Sequence, residues 1–404
     1  MQWPSMQWAS VSATEPSLTQ ALAQATDRLL EALGGREPDL VLAFVAAHYR
    51  AQFSMLPDLL RREFETATLS GCLSASTIGA GREHEDQPAI TLLGAVLPNV
   101  KVCSAHLDEK NTPPTYAERS LWEASLQLAG NTPEGVLLLA DPFSFASEAF
   151  LKGLDRHFPQ TVKLGGLASG MEQAGTPCLF LNNTVYDSGV ITLALCGDIA
   201  IDTIIAQGCR PIGDPMFANR SHENLILEID GKVPREVLTE LYVKLKRDDR
   251  QLFTDALFLG VAMEAQREQY QAGDYLIRSI LGLDPQSGAL WVNAHVPPNS
   301  VVQLHLRDAA TSAHDIEQLL KRYRASPSSR HAAGAVMFSC LGRGAQLYGH
   351  PNHDSNAFEH NLGDVPVGGF FCNGEIGPVR STTHLHSYTT VFGVFRSKSR
   401  KEEH

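Results

Sequence analysis

No hydrophobic run in this chain approaches the ~20 residues that a helix needs to cross a bilayer. The longest, about Gly189 to Cys196, has the length of a strand, so membrane insertion is not expected. The N-terminus lacks the basic and apolar regions of a secretory signal, which makes the cytoplasm the expected location. Basic charge is scarce. Lys and Arg number 33 against 45 Asp and Glu, a formal net charge of −12 that repels phosphate backbones and removes nucleic acid from the expected partners. The seven cysteines include no C-x-x-C pair, which excludes an evident disulfide framework and points to free thiols in a reducing compartment.

Signatures of catalysis are also missing. There is no G-x-S-x-G elbow, because Gly166-Leu-Ala-Ser-Gly170 carries its serine one place too late. There is no P-loop, and Gly79-Ala-Gly81 lacks the third glycine and distal acid of a dinucleotide fingerprint. No hydrolase, kinase or dehydrogenase motif is found. An enzyme is therefore the less expected reading.

What is present is a chain of 404 residues, 43% hydrophobic and 19% charged, long enough for two domains that each bury a core. Thr14 to Gly34 has the three-four apolar spacing of an amphipathic helix, stopped by Gly34-Gly35. Met1-Gln-Trp and Met6-Gln-Trp8 before it read as an arm or a second start. From Val41 onward the order is strand, helix, glycine turn and a pair of strands, the pair being Ala89 to Leu97 and Val100 to His106. The same order returns from Gly135 to Cys196 and again from Ala335 to Phe395. This is read as an internal duplication. The expected fold is α/β with α+β character, in two related domains built from repeated strand, helix, glycine-turn and hairpin units. The expected boundaries are an arm and helix at 1–34, a first domain at 35–200, a second at 201–396 and a polar tail at 397–404.

The richest segment is the last repeat. An apolar strand runs into Cys340-Leu-Gly-Arg-Gly344, followed by Val365-Pro-Val-Gly-Gly-Phe-Phe-Cys-Asn-Gly-Glu-Ile-Gly-Pro378 and Leu385-His-Ser-Tyr-Thr-Thr390. Glycines at strand ends let backbone N–H groups approach a ligand, and the few polar groups among aromatics suit binding better than bond breaking. These three runs, in this order, resemble the closing motifs of the FIST family, whose members pair a FIST N with a FIST C domain. Gln207-Gly-Cys-Arg-Pro-Ile-Gly213 and Asn224-Leu-Ile-Leu-Glu-Ile-Asp-Gly231 are similar to its opening FIST C strands, and Leu164-Gly-Gly-Leu-Ala-Ser-Gly170 to a FIST N turn. The resemblance covers about residues 35 to 396.

The resemblance implies a sensory module for small ligands, amino acids or related carboxylates among them, signalling through a separate partner. A eukaryotic F-box protein carries similar runs, which implies a protein-interaction module as the alternative and a ubiquitin-pathway partner with it. The first ~35 residues are too few for a complete F-box fold. Some family members are haem-based nitric oxide sensors, so haem is a possible cofactor, although no axial ligand is marked here.

Arg343, between two glycines, has the fork to clamp a carboxylate; the other reading is an ion pair with Glu375. Glu375 in turn would hold an ammonium group or that arginine. Gly342, Gly344, Gly368, Gly369 and Gly374 are the candidate backbone donors and Phe370, with Phe371, the apolar wall; Asn219, His386 and Tyr388 are further polar candidates. Cys340, beside the arginine, is either a reactive thiol or a small core filler, and Cys372 would face it. His350-x-x-His353-Asp354 and His384-x-His386 are a weak metal signal, and no metal site is assigned.

Overall fold

The computed structural model describes residues 5–398 apart from 265, 266, 268 and 272. The fold is mixed α/β, with three six-stranded sheets and one closed barrel. No helix among the described residues is long and apolar enough to cross a membrane. The chain divides into two compact units. The larger draws on the chain up to Ile205, on Glu317–Leu385 and from Thr389 onward; the smaller is Ala206–Ile316 with His386–Tyr388.

The first two copies of the repeat lie in the larger unit, as do the central strands of the third. Each copy consists of a lead strand, a helix, a buried central strand, a second helical segment, a strand parallel to the central one, a short hairpin and a closing strand. The central pairs are Leu40–Ala46 with Thr68–Ser74, Pro133–Ala140 with Val162–Leu167, and Gly334–Cys340 with Val367–Cys372. Leu40–Ala46 is a continuous apolar run, and nearly every residue of the other five strands is buried, as expected of parallel strands covered on both faces.

The hairpins are exchanged in a cycle. Thr77–Gly79 and Arg82–His84 of the first copy extend the third sheet, Leu179–Leu181 and Thr184–Tyr186 of the second extend the first, and Glu375–Val379 and Thr382–His386 of the third extend the second. At the junction the backbone bonds repeat: Leu73 N–H to Cys178 O, Leu167 N–H to Gly374 O and Phe371 N–H to Ser76 O, at 2.8, 2.9 and 3.0 Å. Ser169 N–H to Leu73 O and Asn373 N–H to Leu167 O form a second ring of bonds. Its third member is replaced by the Ser169 hydroxyl, which donates to Phe371 O at 2.5 Å and accepts from Ala75 N–H at 2.9 Å.

Two readings of the sequence change here. Val100–Leu107 does not pair with Ile90–Val96. It is the lead strand of the second copy and pairs with Val190–Gly197, the tight Pro98-Asn99 link joining two different sheets. The second Met-Gln-Trp is also no loose arm, since Gln7–Ala13 is the lead strand of the first copy and Trp8 stacks on Phe395 with ring centroids 4.3 Å apart. The helix Leu18–Ala32 forms as its periodicity predicts, burying Leu18, Ala21, Leu22, Ala25 and Leu29.

The barrel strands of the smaller unit, Cys209 to Arg307, interrupt the third copy between its lead strand Ala200–Ala206 and its helix Ala309–Arg324. It is a closed barrel of Cys209–His222, Leu225–Ile229, Leu290–Val292, Tyr275–Leu283, Leu257–Ala262 and Ser300–Arg307, filled by Ile226, Leu259, Leu290, Val302, Leu304 and Leu306. Helices Pro234–Lys244 and Arg247–Asp255 accompany it.

Candidate functional site

The third copy builds a polar centre at the carboxyl ends of its parallel strands, the end of an α/β sheet where ligand sites form. Gly334–Cys340 stops at Cys340 because the Gly-Arg-Gly turn follows, with Arg343 N–H donating to Cys340 O at 2.9 Å. A four-residue helical turn, Ala345–Tyr348, leads to helix His353–Leu362, which begins after Asn352 in the left-handed region at φ 61°.

Arg343 is fully buried and its fork grips Asp354. Nε donates to Oδ2 at 2.7 Å and Nη2 to Oδ1 at 3.1 Å, while Nη2 also donates to the Tyr348 hydroxyl at 2.5 Å. Asp354 further accepts from the Thr390 hydroxyl at 2.8 Å, and His353 Nδ1 lies 2.9 Å from its Oδ1. The ion-pair partner is thus Asp354, not Glu375: the turn and the helix start place the aspartate opposite the fork. Burial pushes the Asp354 carboxyl up, but the guanidinium outweighs it and holds the carboxyl well below the usual range. Burial likewise works against the Arg343 charge, and Asp354 and Tyr348 more than restore it.

The first copy supplies two carboxylates to this centre through its exchanged hairpin. Glu83 Oε1 accepts from Ser355 N–H at 2.9 Å, and Asn352 Oδ1 accepts from Glu83 N–H at 2.7 Å, so Glu83 caps the helix His353–Leu362. Glu85 accepts from Ala345 N–H at 3.0 and 3.1 Å and caps the shorter turn. Gly344 lies at φ +71°, which favours glycine, and a Cβ there would push against the Glu85 carboxylate. Burial and the Asp354 charge push the Glu83 carboxyl up to about 7. Three polar atoms of this centre are buried without a protein partner: Arg343 Nη1, Glu83 Oε2 and Ser355 Oγ.

Glu83 carries a pH dependence. Its folded pKa of about 7 lies above the ordinary 4.5, so the ionised form is disfavoured in the fold. Stability is greatest below the ordinary value, falls as pH rises toward 7 and is level above, a loss on the order of 3 kcal/mol. The charges facing it are Asp354 and Glu85. Glu83→Gln is expected to flatten this slope, which urea unfolding between about pH 5 and 8 measures; an unchanged slope would place the titration elsewhere.

The other sequence candidates fall in different places. Gly368 and Gly369 are paired on both sides of their strand, so their backbone serves the sheet ladder and not a ligand. A Cβ on Gly369 would overlap Met337 O, and one on Gly368 would lie 2.9 Å from Leu93 Cβ. Phe370 is a core side chain, 5.2 Å from Phe44 and 5.7 Å from Phe338 between ring centroids. Gly374 lies at φ +144° between Leu167 and Leu385, and Gly342 in the turn before Arg343. Glu375 is fully buried, with Oε2 accepting from Thr389 N–H at 3.2 Å. Cys340 is half-buried and Cys372 fully buried, and they are register partners on adjacent strands.

Asn219, His386 and Tyr388 belong to the smaller unit. Asn219 Oδ1 accepts from Gly231 N–H at 3.1 Å in an exposed turn. Tyr388, at φ 63°, sets its hydroxyl 2.8 Å from Ser279 Oγ, its ring against Phe258 and beneath the Arg307 guanidinium. His386 is buried. Of the tempting histidines, His353 stacks on Tyr348 at 3.5 Å and His350 lies 5.5 Å from His353. Among the described residues no group of three or more His, Cys, Asp or Glu is arranged to hold a metal ion.

Glu83, Glu85, Ser355 and Thr390 escaped the sequence reading. The available signal was Asn352 followed by Asp354-Ser355 at a helix start, a capping pattern that marks the segment without naming its partner.

Comparison with known proteins agrees with the motifs. The FIST N domain model matches residues 39–232 and the FIST C domain model residues 234–378. An uncharacterized protein of Mycobacterium tuberculosis strain H37Rv is 30% identical over 382 residues, covering 95% of this chain and 97% of that one. An F-box/LRR-repeat protein of Arabidopsis thaliana is 35% identical over 159 residues, 33% of this chain and 29% of its own length. F-box only protein 22 of Homo sapiens is 34% identical over 101 residues, 21% of this chain and 25% of its own. Family models spanning both parts of the chain, together with a relative matched nearly end to end, place this protein in the FIST family.

Proposed function

We propose that this chain is a small-ligand-binding sensory protein that passes its signal to a separate partner, and that its ligand carries a carboxylate. The observation that supports this is Arg343 Nη1, buried with no protein acceptor while the rest of the guanidinium is satisfied. A buried donor left unmade costs about 1–3 kcal/mol, and native proteins meet such donors with water or ligand. A carboxylate oxygen is a suitable acceptor, and an amino acid would set its ammonium against an acidic group, Glu83 or Glu375. The test is thermal unfolding in the presence of amino acids and small carboxylates. At least one is expected to stabilise the wild type by about 2.7 kcal/mol at a hundredfold excess over Kd. Arg343→Lys, which keeps the charge and loses the fork, should lose that gain. No stabilisation by any of them would contradict the reading.

A second reading, a protein-interaction module, is favoured by the F-box relatives and by exposed Phe217, Tyr242, Val243, Leu281 and Trp291 on the smaller unit. Replacing Leu281 and Trp291 by serine should then abolish a partner's capture while leaving the ligand response intact.

A further inference from the structure

We infer that Cys340 and Cys372 form a peroxide-responsive thiol pair that closes into a disulfide across the central strands of the third copy. This is independent of the ligand reading. The two residues are direct register partners in the parallel pair Gly334–Cys340 and Val367–Cys372. Register partners in a parallel pair project from the same face, and two residues earlier Phe338 and Phe370, partners in the same register, meet ring to ring at 5.7 Å. Neighbouring strands lie about 4.8 Å apart, inside the ~4.4–6.8 Å window of Cα separations that a disulfide spans.

The two thiols have different surroundings. Cys340 is half-buried at the strand end, so an oxidant can reach it, and it lies close enough to Arg343 to interact with the guanidinium. Cys372 is fully buried and its thiol donates to Phe370 O at 3.5 Å. Gly166 sits beside that sulfur, where any Cβ would overlap it, so the glycine preserves the room in which the sulfur can turn. Cys72 also lies near Cys372, but both are fully buried and neither offers an entry point.

The chemistry balances with a hydroperoxide as the oxidant. The Cys340 sulfur gives up its proton and attacks one peroxide oxygen; the O–O bond breaks, sulfenic acid forms, and the second oxygen leaves as hydroxide that takes up the thiol's proton to become water. The Cys372 sulfur then attacks the Cys340 sulfur, its proton leaving with the hydroxyl as a second water. Two thiols are oxidised and one hydrogen peroxide is reduced to two waters. The buried partner resolves the sulfenic acid before it over-oxidises.

The test is to expose the full-length reduced protein to hydrogen peroxide, unfold it in an alkylating reagent and map the peptides by mass. The expected product is one linked peptide pair joining Cys340 to Cys372, with two hydrogens lost and both sites closed to alkylation together. In Cys372→Ala, Cys340 should be trapped as sulfenic acid by dimedone or carried on to sulfinic acid. Accumulation of sulfinic acid on wild-type Cys340 with Cys372 fully alkylated would overturn the inference. So would peroxide leaving both thiols unchanged, or linking Cys372 to Cys72 instead. Because the wild-type map decides the matter, the inference stays testable if the variant fails to fold.

Discussion

Asp354→Ala is expected to destabilise the larger unit by about 3–5 kcal/mol, the cost of leaving a buried charge without its partner. The reason is the depth of the pair. Arg343 and Asp354 have side-chain exposures of 0% and 2%, and the carboxylate receives two bonds from the fork and one from Thr390. Removing the aspartate strands the guanidinium where water cannot solvate it. It also releases the start of helix His353–Leu362 from the turn that follows Cys340. Replacing both partners by apolar side chains, Arg343→Met with Asp354→Leu, should cost far less than the sum of the single changes, since no unpaired charge remains. Chemical unfolding of the three variants measures this. Single and double variants of equal and additive cost would mean that the pair is not coupled.

A larger effect is expected from Gly369→Ala, more than about 4 kcal/mol, enough to abolish folding of a marginally stable domain. The new Cβ would be driven into the Met337 carbonyl oxygen of the neighbouring parallel strand, a backbone atom that cannot turn aside. Gly71 and Gly165 hold the corresponding places in the other two copies, against Ala43 O and Leu138 O, so alanine there should be as damaging. Gly175 is the control. It lies in an exposed turn at φ +76°, where an added methyl would meet nothing within 4 Å, so Gly175→Ala should cost only about 1–2 kcal/mol for its left-handed backbone. Soluble yield and urea midpoints compare the four variants. A Gly369→Ala protein as stable as Gly175→Ala would contradict the shared packing role.

These glycines show what could be read from the chain and what could not. Their clustering at strand ends marked the repeat, and the strand, helix and glycine-turn order located all three copies, because apolar periodicity and turn chemistry are local properties. The purpose of Gly369 was not local. Its missing Cβ serves a carbonyl on a neighbouring strand, and the same composition would equally suit a ligand cradle. Arg343 likewise announced itself as a fork between glycines, yet its partner depends on how helix His353–Leu362 is set down. Glu83 reaches Ser355 across 272 residues, through a hairpin handed from the first copy to the third. Local pattern carries no information about that exchange. The barrel inserted in the third copy hid the continuity between Ala200–Ala206 and the helix Ala309–Arg324, which is why the last repeat looks from sequence like part of a separate half.

The central claim is that the polar centre around Arg343 accepts a small carboxylate. Native mass spectrometry of freshly purified, unmodified protein tests it most directly, recorded alone and with amino acids or small carboxylates added, against the denatured mass. The account predicts a non-covalent mass increment that disappears on denaturation and is lost in Arg343→Lys. Native and denatured masses that agree under every addition would contradict it.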